Sequence, residues 1–136
     1  QFIITDEHLN LESRGKTIDT ISRAQINVIK IDKSGDTKMN TPPLIVNNLT
    51  AVTNNLLMVN SMLRGKFEEK KIWDHATVID VYDITNHTYL LSFYVFDESG
   101  FRMKNCHATR EAIFIVSGHY LVKYGYGERI KSKLKK

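Results

Sequence analysis

The chain has 136 residues, room for one domain or a piece of one, and its 42% apolar share is that of an ordinary globular protein. No apolar run reaches the roughly 18 residues that a membrane-crossing helix needs. Net charge is +4, but the last eight residues, RIKSKLKK, hold five of the 19 basic side chains, so the body is near neutral and does not read as a nucleic-acid module, in which basic residues interleave with stacking aromatics.

The predicted elements are almost all strands. In chain order they cover residues 2–5, 9–13, 17–21, 26–31, 44–46, 49–53, 56–60, 77–84, 89–96, 103–109, 112–117 and 120–124. Each is short, rich in β-branched and aromatic residues, and bounded by Gly, Asn, Asp or Ser. The exception is GKFEEKKIWDHA, residues 65–76, where Phe67, Lys70, Lys71 and Trp73 predict a short helix near 66–73 or else a long loop. The basic end, 129–136, reads as a solvated, mobile tail, or as a weak contact for a polyanion or membrane surface.

Three segments share an apolar run, a polar turn and a second apolar strand. They start at Phe2, Leu56 and Ala112, about 55 residues apart. Read as four antiparallel strands a to d, the unit at 44–96 is complete. The unit at 1–21 lacks strand a, and the unit at 103–126 lacks strand d. Along 89–96, Tyr89, Leu91, Phe93 and Val95 point one way, and Leu90, Tyr94 and Phe96 the other. A β-sandwich sheet has one apolar and one polar face. Four-stranded blades stacked face against face around an axis need both faces apolar. The expected fold is therefore all-β: tandem antiparallel blades in a partial β-propeller over 1–128, about two to three blades, with insertions at 22–43 and 62–75.

FIITDEHLNLESRGKTIDTI resembles the strand–loop–strand–Gly-Lys pattern of NHL-type and TolB-like propeller blades. TPPLIVNNLTAVTNNLLMVNSM, followed by WDHATVIDVYDITNHTYLLSFYVFDESGFRMKN, is similar to the C-terminal blades of six-bladed TolB-like propellers common in Bacteroidetes. The resemblance covers about residues 1–125 and implies fold rather than chemistry. It also implies a bacterial periplasm or cell-envelope setting. The chain starts at Gln1, not Met, and has about half the length a six-bladed ring requires. Upstream blades, and with them an export signal, are expected to be missing, or copies self-associate, because an open stack exposes strand edges and an apolar flank.

Strands alternate in direction, so the d–a and b–c connections leave a blade on one side. Both long insertions fall there, 22–43 with its own hairpin around DKSGD; the other side has only the turns TNNL and ITNHT. Candidate binding residues on the decorated side are His8, Arg64, Lys66, Trp73, His75, Arg102 and His119. Trp73 either stacks on a sugar or peptide ring or pins its loop to the blade. Arg64 with Lys66 either holds an anionic group or is simply solvated. The histidines come from different units and would share a metal only near the axis; polar loop residues are the plainer reading. DKSGD lacks the distal acid of a calcium loop. Cys106 is the sole cysteine, a small buried hydrophobe by default. No nucleotide, metal or hydrolase fingerprint is present, so no catalytic residue and no cofactor is expected. The leading expectation is a non-catalytic module holding a protein, peptide or glycan. The alternative is a propeller-family lyase or hydrolase with its site near the axis.

Overall fold

The computed structural model describes residues 1–21, 23–24 and 26–134. Its sheets are all antiparallel. A hairpin pairs β1 (Phe2–Thr5) with β2 (Leu11–Gly15), and a second pairs β3 (Val28–Lys30) with β4 (Thr37–Met39). The middle sheet runs in order β5 (Asn47–Thr53), β6 (Leu56–Ser61), β7 (Ala76–Asp83), β8 (Thr88–Phe96). The third sheet is β9 (Met103–Ala108), β10 (Ala112–Ser117), β11 (Tyr120–Gly125), also in sequence order. Among the described residues there are also two single-turn helices, α1 (Lys70–Trp73) and α2 (Glu128–Lys131). Among the described residues the sheets are open and form no closed barrel.

The middle sheet lies between the other two units. On one face Leu56, Met58, Ile79, Val81 and Val95 pack against Ala108, Ile113 and Ile115 of the third sheet, with β5 beside β9. On the other, Leu57, Val59 and Tyr82 pack against Phe2. The alternation of strand side chains sorts these two sets, because Met58 stands opposite Val81 and Leu57 opposite Tyr82. With both rows covered, β7 is buried along its whole length except half-buried Thr77. The first hairpin is held by Phe2, whose ring lies tilted against Tyr82 at 5.9 Å between centroids, and by a 3.1 Å hydrogen bond between Ser13 of β2 and the His87 ring. Phe2 also covers Gly15, where a Cβ would stand 2.0 Å from the phenyl ring.

Side chains that bind their own backbone set the turns. The Asp83 carboxylate accepts the N–H groups of Thr85 at 2.8 Å and Asn86 at 3.3 Å, and the Asn86 amide at 2.9 Å, closing the turn between β7 and β8. Burial by itself would raise the Asp83 pKa; these donors outweigh it and hold it below the ordinary carboxyl value. The Asp6 carboxylate similarly collects His8 N–H, Asn10 N–H and the Asn10 amide. That turn, with Leu9 at φ 65°, delays the expected strand at 9–13 until Leu11.

Several expectations are corrected. Residues 17–21 form no strand: Asp19 draws the Thr17 hydroxyl and the Ile21 N–H to itself, and Ile18 N–H donates to the Tyr82 hydroxyl at 3.1 Å, so the backbone is turned away from a ladder. Residues 44–46 are likewise outside any strand; Val46 C=O accepts Met62 N–H at 2.8 Å. In β8, a bulge between the partners of Val81 and Tyr82 puts Leu90 against the same core as Leu91 and Phe93, while Tyr89 turns to Tyr82 on the opposite face. The start of that strand therefore points the reverse of its sequence alternation. The hairpin around DKSGD is present as β3–β4, and the short helix is α1. The tail keeps Arg129, Lys131 and Lys133 exposed, but it folds into α2, and Ile130 and Leu134 pack on the core. Asn55 donates to Lys133 C=O at 3.0 Å. Ser22 and Gln25 of the first insertion, and Lys135 and Lys136 of the tail, lie outside the described residues.

Asp83→Ala removes a charged acceptor from four donors, the Asn55 side chain included. It is expected to lower unfolding free energy by about 1.5–3 kcal/mol, read by urea denaturation at pH 7. Because the folded pKa is the lower one, the deficit shrinks as pH falls through it.

Candidate functional site

The end of the middle sheet that carries residues 62–75 is built from four pieces: that loop, residues 17–21, the link between β8 and β9, and the first residues of β5. β5 begins beside the end of β6, since Asn47 pairs with Ser61. The 22–43 insertion therefore enters the sheet where the 62–75 loop leaves it.

The loop is fastened by Glu68. Its carboxylate accepts Gly65 N–H at 2.7 Å and the Tyr94 hydroxyl at 3.3 Å, and its carbonyl accepts the Arg64 guanidinium at 2.7 Å. Those bonds tie a loop to the rigid strand β8 and leave the preceding residue, Phe67, pointing outward. Phe67 is 92% exposed, with Lys66 Nζ 5.6 Å from its ring centroid.

Below Arg64, Lys66 and Glu68 lies a cavity of about 350 Å³, lined also by Ile18, Asp19, Val78, Asp80 and Ser92. Such a volume is within the range of small-ligand or side-chain sites. Asp80 forms its floor and is only 4% exposed. Ser92 donates to Asp80 and shares a 2.8 Å hydrogen bond with the Tyr89 hydroxyl; Tyr82 also hydrogen-bonds Asp80. Burial raises the Asp80 pKa, Ser92 opposes the rise, and the Glu68 and Asp19 charges add to it. Burial likewise pushes Tyr82 up to about 12, so its hydroxyl stays a neutral donor and acceptor.

Trp73 and Arg102 meet at a second hollow, on the other side of β6 and β7. It measures about 90 Å³ and includes Asn48 and Asn60, room for a few waters rather than a ligand. The Arg102 guanidinium donates to Trp73 C=O and, at 3.4 Å, to Ala76 C=O, and lies 3.9 Å from Asp97. Trp73 is half-buried. His75 is exposed beside this hollow, and its C=O accepts Asp97 N–H at 2.9 Å.

The structure thus gathers Arg64 with Lys66, and Trp73 with Arg102 and His75. It does not gather the other histidines. His8 sits exposed in the β1–β2 turn, 3.7 Å from Glu7. His119 sits in the β10–β11 turn with its ring 6.0 Å from Phe101. The middle sheet stands between those two turns. Among the described residues no three His, Cys, Asp or Glu side chains come close enough to hold a metal ion. Cys106 is half-buried against the core, and burial raises its thiol pKa.

Phe67 and Asp80 are not among the binding residues expected from the sequence. Each had a signal: an aromatic amid charges in RGKFEEKK, and a lone carboxylate in the apolar run ATVIDVYD. Asp19, Glu68 and Ser92 carried none, because they matter only once 17–21 and 64–68 meet over β7. In comparisons with known proteins, no family model, curated protein or solved structure matches the chain.

Asp80 has its pKa raised in the folded state, so protonation favours folding. Its contribution is fullest below the unfolded carboxyl pKa and is lost as pH rises through the folded one. Wild type should therefore gain stability relative to Asp80→Asn as pH is lowered from 7 towards 4. Paired denaturation curves at several pH values check this; a difference independent of pH would contradict it.

Proposed function

We propose that the chain is a section of a β-propeller and works as a non-catalytic recognition module, holding a protein or peptide at the end that bears the 62–75 loop. By the resemblance described above, its setting is the bacterial cell envelope. Three features support the propeller reading. The middle sheet is flanked by a unit on each face, the sheets run in sequence order, and the first strands of adjacent units, β5 and β9, lie together. In addition, the outward face of the first hairpin leaves Ile3 66% exposed, as a surface that a further blade would cover.

One observation carries the binding reading: Phe67, almost wholly exposed, on a loop clamped to β8 by Glu68. Exposed aromatics flanked by cations supply contact area at small ordering cost, and interface energy concentrates in such residues. Arg64 and Lys66 at the cavity rim add donors for acidic or carbonyl groups. Glycans remain a ligand class of the same site through aromatic stacking and hydrogen bonds. The enzyme alternative has one supporting observation, the raised Asp80 carboxyl at a cavity floor. Its oxygens, however, are already engaged by Ser92 and Tyr82.

The test is selection of peptides from a displayed random library, then titration of the selected peptides. Phe67→Ala is expected to weaken binding about tenfold with the thermal melt unchanged, and Arg64→Ala to weaken it less. Peptides that bind Phe67→Ala as well as wild type would remove this face from the account.

A further inference from the structure

The second and third sheets are copies of one plan. β9, β10 and β11 follow the order of β5, β6 and β7, but the place that β8 takes beside β7 is empty beside β11. The consequence is visible in exposure. β7 is buried, whereas Tyr120, Leu121, Lys123 and Gly125 of β11 are exposed. Among the described residues no strand pairs with the second edge of β11.

The register says which groups the edge offers. Ser117 and Tyr120 pair across a two-residue turn whose Gly118 has φ 60°, so they form a hydrogen-bonded pair, and every second pair after it does the same. Tyr126 N–H donating to Glu111 C=O continues that parity. Tyr120, Val122 and Tyr124 therefore bond to β10. Leu121, Lys123 and Gly125 aim their N–H and C=O groups outward, at the spacing an added antiparallel strand needs. β8 also has an open edge, but the bulge at Leu90 interrupts its ladder, which blunts an edge against pairing.

Charge indicates the occupant. From Tyr120 to Leu134 the basic residues are Lys123, Arg129, Lys131 and Lys133, and the one acid, Glu128, is 3.0 Å from Lys131. Lys123 leans over Phe114 at 5.8 Å, on the face turned away from the middle sheet. We propose that the open edge of β11 binds, in trans, an extended acidic peptide segment as a fourth antiparallel strand. Its apolar residues would alternate with acids, the apolar row towards the middle sheet and the acidic row towards Lys123.

The experiment is hydrogen exchange on the full chain with two synthetic peptides, one alternating valine with glutamate and one alternating valine with lysine. The glutamate peptide should slow exchange at Leu121, Lys123 and Gly125 and leave β8 unchanged, and the lysine peptide should do neither. Leu121→Pro removes one outward N–H without touching the β10 ladder and should abolish the protection while the melt holds. Lys123→Glu should reverse the peptide preference, losing about fivefold in affinity for the glutamate peptide. The proposal is overturned by equal protection from both peptides, by protection of β8 instead, or by those three amides being already protected in the free chain. In that last case, a light-scattering mass of two chains would show the occupant to be a second copy.

Discussion

Everything in this chain depends on two adjacent strands having no wet side. β6 and β7 bury apolar residues on both faces, so the middle sheet is stable only with a partner layer on each. The third sheet supplies one through Ile113 and Ile115, and the first hairpin supplies the other through Phe2. The two partners are unequal. One is a three-stranded sheet closed off by Tyr126, Ile130 and Leu134; the other is two strands that contribute one large side chain, Phe2.

Tyr82 compensates for that inequality. Its ring receives Phe2 on one side and Tyr89 at 5.8 Å. Its hydroxyl accepts from Ile18 and hydrogen-bonds Asp80. A single residue thereby places the first hairpin, holds residues 17–21 over the sheet, and satisfies part of a buried carboxylate. The cavity beneath Arg64 and Lys66 follows from this arrangement, because one of its walls is the segment that Tyr82 pins.

Much of the architecture was legible in the sequence. Alternation and turn residues gave ten of the strands, the hairpin around DKSGD and the antiparallel order. What misled was local hydrogen bonding, which hydropathy does not register. TIDTI has strand composition, yet Asp19 folds its neighbours onto itself. The bulge at Leu90 reverses the start of β8 in a run with no glycine or proline to mark it. The tail looked soluble because its cations outnumber Ile130 and Leu134, though those two apolar residues decide where it packs. The site was legible by loop rather than by residue. The 62–75 loop stood out by length, but the meeting of Asp19, Glu68 and Asp80 depends on contacts across about 60 residues of chain, which no local pattern carries.

The most direct test places one cysteine on each face of β6 in a Cys106→Ala background, at Met58 and at Val59, with Val52, an exposed position on β5, as reference. The account predicts that both buried thiols react with a soluble maleimide slower than the reference by roughly a hundredfold or more. A Val59→Cys thiol reacting as fast as the reference, with Met58→Cys protected, would mean that one face of the middle sheet is in water, and the stacked arrangement would be wrong.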